Sequence, residues 1–245
     1  LGLNTYRITK FMTYDTVFIS DVHLGTSRCN TEKLLKFLKE IKTKKLVLVG
    51  DIIDIACMEK YGTKWQKEHT ECVHQILNLA KKGTEVVYIL GNHESQLRRY
   101  CNFEHKNFQM VDEYTHKDIK GNKFLCVHGD KYSEFSSGSW KQLIFNKGYE
   151  FITPLSMVLE RFFRFSLVYV LKNTVRGKNY INQYETDLAS YCIQRDKKYS
   201  GIIVGHIHHA NIRYFNKLLY MCCGDWCDTC SVIVEKDGIY ALEKY

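Results

Sequence analysis

Proline is nearly missing: this 245-residue chain has one, Pro154. It also has no low-complexity run and no internal repeat. With no Pro-rich linker, a chain of this length fits one α/β domain, or one domain carrying an insertion. The ten cysteines lack any regular framework spacing, and several fall in strand-like or helical stretches (Cys72, Cys126, Cys192). No secretory signal opens the sequence. Together these absences predict reduced thiols in a cytoplasmic protein. A long uncharged apolar run is missing too. The nearest approach, residues 155–171, carries Glu160, Arg161 and Arg164 near its centre. Each central charge costs roughly 2.5–3.5 kcal/mol on insertion, which argues against a membrane span. Nor is there a basic–aromatic recognition motif, so nucleic acid is not an expected partner despite a net charge of +8. That charge, from 35 Lys+Arg against 27 Asp+Glu, suits a phosphorylated substrate or an anionic lipid surface.

What is present is an alternation of strands and helices. Residues 15–20 read as a strand, and 31–42 as a helix with Leu34, Leu35, Leu38 and Ile41 on one face. Residues 45–50 read as a buried strand, and Thr63 with Gln66 as a capping box opening a helix that runs to about Lys82. Val86 to Leu90 is a further strand. Residues 110–128 suggest two strands around Gly121-Asn122, and Ile202 to Val204 another. Hairpin turns are expected at Asn216-Lys217 and Asp237-Gly238. Strand–helix alternation early and hairpins late predict a four-layer α/β/β/α sandwich.

Five short segments share one chemistry: Asp21-Val22-His23, Gly50-Asp51-Ile52-Ile53-Asp54, Gly91-Asn92-His93-Glu94, His128-Gly129-Asp130 and Gly205-His206-Ile207-His208. Each follows a short apolar run, so each falls at the carboxyl end of a predicted strand, where open α/β sheets build their sites. Asp21 and His23 can point the same way from an extended segment, as can His206 and His208. Mixed imidazole and carboxylate donors select Mn, Fe or Zn over Ca or Mg. No cysteine is required, which excludes a structural zinc cage. Two ions sharing Asp51 as a bridge would leave about one positive charge after Asp21, Asp51 and a bridging hydroxide are counted. Such a pair is suited to hydrolysing phosphate esters.

In that order the segments resemble the calcineurin-like metallophosphoesterases, whose signature runs D-x-H, G-D-x-x-D, G-N-H-[D/E], H and G-H-x-H. The resemblance implies that Asp21, His23, Asp51 and His208 hold one cation and that Asp51, Asn92, His128 and His206 hold the other. It makes His93, with Asn92, the catalytic pair near the leaving group. A narrower likeness, carried by Ile19 to Thr26, Leu48 to Asp54, Val127 to Asp130, Gly205 to Ala210 and Gly224-Asp225-Trp226, points to the UDP-2,3-diacylglucosamine pyrophosphatase group. That group releases UMP and 2,3-diacylglucosamine 1-phosphate in lipid A synthesis, usually with manganese. The best-known members carry arginine where this chain has His93. A histidine suits an alkoxide leaving group, which needs a proton, whereas a departing phosphate monoester needs only positive charge. His93 therefore keeps open a phosphomonoesterase or phosphodiesterase acting on a nucleotide, cyclic nucleotide or nucleic acid. A non-catalytic scaffold of the same shape would have lost ligands, and none is lost here.

Residues 139–198 interrupt the motifs with helical character, and 1–138 and 199–245 form the expected core. Within the interruption, residues 155–171 are very apolar and are fringed by Arg161, Arg164, Lys172, Arg176 and Lys178. That pattern suits a lid over acyl chains or a contact with the inner face of the cytoplasmic membrane. Packing on the core or on a second subunit is the alternative to that lid, which is the preferred reading. The resemblance gives the pyrophosphatase group a helical insertion at the same place. Asp54 is expected to orient a metal-binding histidine, with Glu94 and Asp130 helping similarly. Cys227-Asp228-Thr229-Cys230 reads as buried thiols, and His105, His116 and His209 as ordinary surface residues or supporting ones. The lysines Lys33, Lys36, Lys39, Lys42, Lys44 and Lys45 read as a solvated face.

Overall fold

The computed structural model describes residues 11–135 and 175–245. The first half lays down β1 (Met12–Ile19), α1 (Thr31–Glu40), β2 (Ile41–Val49), α2 (Ile55–Tyr61), α3 (Lys67–Lys81) and β3 (Glu85–Ile89). A 3-10 turn (Ser95–Tyr100) leads to β4 (Phe103–His105), β5 (Phe108–Val111), β6 (Glu113–Lys117), β7 (Lys123–Val127) and α4 (Asp130–Phe135). The remainder is α5 (Val175–Arg195), β8 (Tyr199–Val204), β9 (Asn211–Phe215), β10 (Leu218–Cys222), β11 (Ser231–Lys236) and β12 (Ile239–Lys244).

Among the described residues, twelve strands form two sheets, ordered β12-β11-β1-β2-β3-β5-β4 and β6-β7-β8-β10-β9. Strands β1, β2, β3 and β5 run parallel, as do β7, β8 and β10. The two-residue side-chain period of a strand sorts the core into three slabs. Val17, Ile19, Leu46, Leu48, Val86 and Tyr88 face α1 and α3. Phe18, Val47, Val49, Val87 and Ile89 meet Phe124, Cys126, Ile203 and Met221 between the sheets. Leu125, Val127, Ile202 and Val204 face Ile181, Leu188 and Cys192 of α5. The four-layer α/β/β/α expectation is met.

Local differences have physical causes. Helix α1 stops at Glu40, because Ile41 adopts an extended backbone and begins β2. Helix α3 starts three residues later than Thr63 predicts. Gln66 is its cap, and its N–H donates to His69 Nδ1 at 3.1 Å. Met110 and Val111 belong to β5 and pair with β3, so the Gly121-Asn122 hairpin begins only at Glu113. Helix α5 lies inside the span read as an insertion, yet it supplies the outer layer over the smaller sheet. The apolar segment 155–171 lies outside the described residues. Among the described residues no helix is long and apolar enough to cross a membrane.

Candidate metal centre

The five motifs meet at one end of both sheets. Asp21, Asp51, Asn92, His128 and His206 follow the carboxyl ends of β1, β2, β3, β7 and β8. The chain turns sharply there. Asp21, His23, Asp51, His206 and His208 all have left-handed backbone, with φ between 51° and 70°. Asp and His tolerate that region better than most residues. Two glycines permit the close approach. A Cβ on Gly50 (φ 81°) would enter the His128 ring, and one on Gly91 would meet the Asp51 carboxylate.

The predicted ligands converge in two groups. Asp21, His23 and His208 form one, and Asp51, His128 and His206 the other; within each, the candidate atoms lie within 4.8 Å of one another. His208 Nε2 is 3.2 Å from Asp21 Oδ1 and 3.3 Å from His23 Nε2. His128 Nε2 is 3.1 Å from Asp51 Oδ2 and 3.2 Å from Asn92 Oδ1. Asn92 Oδ1 also lies 3.1 Å from His206 Nδ1, which brings Asn92 into the second group. The groups are tied together, since the His206 N–H donates to the Asp21 carboxylate at 3.0 Å.

Ring orientation is set by the opposite nitrogens. His128 Nδ1 donates to Val49 O at 2.9 Å, so Nε2 turns to the pocket. His23 Nδ1 is held by Asp54 Oδ2 at 2.8 Å, and His93 Nδ1 by Asp54 Oδ1 at 2.6 Å. Asp54 thus holds two histidines rather than the one expected, and it also caps α2 through the Cys57 N–H. His93 Nε2 stands 3.8 Å from Asp51 Oδ2. Burial opposes the charge on Asp21, but His208 and His128 hold its carboxyl down to about 2. Burial likewise opposes charge on Asp51, and His128 pulls it well below the usual range. Burial disfavours the charged form of His128, yet Asp51 raises it to about 10. Burial and His128 lower His206 to about 4. For His93 the Asp54 bond overcomes burial and raises it to about 11.

A family signature described as Calcineurin-like phosphoesterase matches residues 14–210. The chain belongs to the calcineurin-like phosphoesterase family. It is therefore a metal-dependent hydrolase, and the family implies a pair of divalent cations. A UDP-2,3-diacylglucosamine hydrolase from Aliivibrio fischeri is 26% identical over 253 residues, covering 93% of this chain and 97% of that protein. One from Neisseria meningitidis serogroup B is 23% identical over 243 residues, covering 93% and 98%. Among solved structures, a dimetal phosphatase from Danio rerio superposes with a TM-score of 0.50 at 12% identity, covering 94% of this chain and 95% of that one. At that identity the likeness speaks for the fold alone.

The residues fit a cation pair on their own chemistry. With Nδ1 committed to Val49, His128 Nε2 presents a lone pair to two oxygen acceptors. With Nδ1 committed to Asp54, His23 Nε2 presents one to His208 Nε2. Acceptors facing acceptors in a buried cage need a proton or a metal between them. A bound cation would stand in place of that proton, so its binding would release the proton.

Two supporting residues differ from expectation. Glu94 orients no histidine. Its carboxylate accepts the N–H groups of Asp51, Ile52, Ile53 and Gly91 at 2.5–2.9 Å and the Tyr88 hydroxyl at 2.5 Å. Asp130 accepts from Arg98 at 2.6 Å, linking the 3-10 turn after His93 to the His128 loop. No motif points to Tyr88 or to Tyr184, whose hydroxyl donates to Gly129 O at 3.0 Å across 55 residues. His116 is not a surface residue; it is buried between the sheets, 3.1 Å from Glu235. His209 is held by the buried Glu185 at 3.2 Å, and His105 is exposed. Lys45 leaves the solvated face to pair with Glu85 at 3.2 Å. All ten cysteines are free thiols, with Cys230 buried and Cys227 half-buried.

Proposed function

We propose that this protein hydrolyses the diphosphate bond of UDP-2,3-diacylglucosamine, releasing UMP and 2,3-diacylglucosamine 1-phosphate. The observation that carries the reading is full-length similarity to hydrolases of that name, on a chain whose motif residues converge in one buried cage. In this reading Asp21, His23, Asp51 and His208 hold one cation. Asp51, Asn92, His128 and His206 hold the other, and Asp51 bridges. Manganese is the proposed metal, with iron or zinc compatible with the same donors. When bound, the cations supply an activated hydroxide and polarise a phosphoryl oxygen.

The chain's own residues supply the rest. Asp54 fixes Nδ1–H of His93, which leaves Nε2 directed at the site. In the imidazolium form that Asp54 favours, Nε2–H offers positive charge to a departing phosphate. An arginine would supply the same charge. His93 is thus compatible with a diphosphate, and no alkoxide is needed to explain it. The Asn92 amide group completes the stabilisation of the pentavalent phosphorus. The composition of residues 155–171 supports a lid or an anionic-membrane contact for the acyl chains, in keeping with work at the inner face of the cytoplasmic membrane.

The test is a mass-spectrometric assay of the purified protein with Mn2+ and UDP-2,3-diacylglucosamine, beside bis-p-nitrophenyl phosphate. Release of UMP and the acyl-sugar phosphate, far faster than cleavage of the diester, is expected. Efficient diester cleavage with the diacyl substrate untouched would refute the substrate.

A further inference from the structure

Gly224-Asp225-Trp226 opens the loop from β10 to β11, which backs onto the metal centre. The Trp226 N–H donates to Asp21 O at 3.1 Å, and the Ser20 hydroxyl donates to Gly224 O at 3.0 Å. Trp226 is fully buried, with its ring 5.4 Å from Phe37 and 6.3 Å from Tyr245 between centroids. The loop is therefore anchored in the core on one side and to the Asp21 backbone on the other.

The buried Asp225 carboxylate divides its oxygens between two tasks. Oδ1 accepts the N–H groups of Cys227, Asp228 and Thr229 at 2.8, 2.5 and 3.1 Å. Oδ2 accepts the Thr229 hydroxyl at 3.1 Å and faces His208 Nδ1 at 3.9 Å. The other nitrogen of that ring, Nε2, points into the cage between Asp21 and His23.

Imidazoles that give one nitrogen to a metal usually have the other held by an oxygen, which fixes tautomer and orientation. His23 has Asp54 in that place, and His128 has the Val49 carbonyl. We propose that Asp225 is the positioning residue of His208, holding it for the cation bound by Asp21, His23 and His208. At 3.9 Å the pair is longer than a hydrogen bond. Asp225 Oδ2 is nonetheless the carboxylate oxygen on the Nδ1 side of the ring, as Asp21 Oδ1 is on the Nε2 side, so with a cation at Nε2 the ring N–H would face Asp225. The proposal rests on the metal-centre reading above.

Asp225→Asn separates the two tasks. Its carbonyl oxygen can keep the three N–H bonds of the turn, while its amide presents N–H to His208 Nδ1–H in place of charge. Metal-stripped protein is titrated with Mn2+ by equilibrium dialysis with elemental analysis. Wild type is expected to take two ions per chain. Asp225→Asn should weaken one site about 10–100-fold and leave the other unchanged. The urea midpoint of the stripped variant should stay near wild type. In a His208→Ala background, Asp225→Asn should weaken that site no further, because it acts through the ring. Two unaltered sites would overturn the proposal. So would equal weakening of both with a lowered midpoint, which marks a turn cap and nothing more. A wild-type chain that takes up no ion would sink the metal centre itself, and that flat titration cannot be confused with the other outcomes.

Discussion

Glu94→Gln offers a severe test of how the site is held. The Glu94 carboxylate is fully buried and receives five hydrogen bonds. Burial and the nearby Asp51 push its pKa up. Five donors, however, leave no acceptor for a carboxyl proton, so the anion is the form that fits. Oε1 serves Ile52, Ile53 and Tyr88, and Oε2 serves Asp51 and Gly91. A glutamine with its oxygen at Oε1 keeps three bonds. Its amide then faces two backbone N–H groups that have lost their acceptor. Each buried donor left unpaired costs about 1–3 kcal/mol, so the loss is about 2–6 kcal/mol. Net stabilities of domains are only about 5–15 kcal/mol. Urea unfolding of the metal-free protein, followed by circular dichroism, measures the change. Tyr88→Phe removes a single donor and should cost about 1 kcal/mol. A Glu94→Gln loss below that of Tyr88→Phe would refute the reasoning, because it would mean the carboxyl is already protonated.

Three further outcomes follow from the same geometry. Asp51→Ala should abolish turnover and lower the Mn2+ content measured by elemental analysis, because Asp51 serves both proposed cations; unchanged metal content would remove the bridge. Gly91→Ala drives a methyl into the Asp51 carboxylate, and a displacement near 1 Å costs on the order of a hundredfold in kcat; near-normal steady-state kinetics would show that the approach is not required. His93→Ala should slow an alkyl phosphodiester more than a diphosphate, since an alkoxide needs a proton; equal losses in parallel assays would count against the leaving-group distinction.

The convergence of the candidate ligands was legible because they sit in short motifs at strand ends, and strand ends are readable from apolar runs. Val47 and Val49 against Leu46 and Leu48 illustrate this, with alternate residues entering different slabs of core. The β4–β5 hairpin was not legible. Its turn passes through Lys106 with φ 52°, where a sequence reader looks for glycine or asparagine. The α3 start was misplaced because Thr63 and Gln66 mimic a box that Gln66 and His69 actually form. Glu94 and Asp225 each lie within a motif, but their partners are mainly backbone N–H groups, which carry no residue identity. Tyr184 was hidden for the opposite reason. It acts on Gly129 from a helix 55 residues away, and no local pattern records so distant a pairing.

Five of the motif residues keep their backbones in a conformation that a side-chain-bearing residue adopts at a cost of about 1–2 kcal/mol. The hydrogen-bonded scaffold around them, from the Glu94 clamp to the Trp226 loop, withstands that tension whether or not ions are bound. Such a chain is less durable than its own fold would allow. Evolution or engineering that relaxed these bends with glycine would gain a hardier protein and lose the reaction.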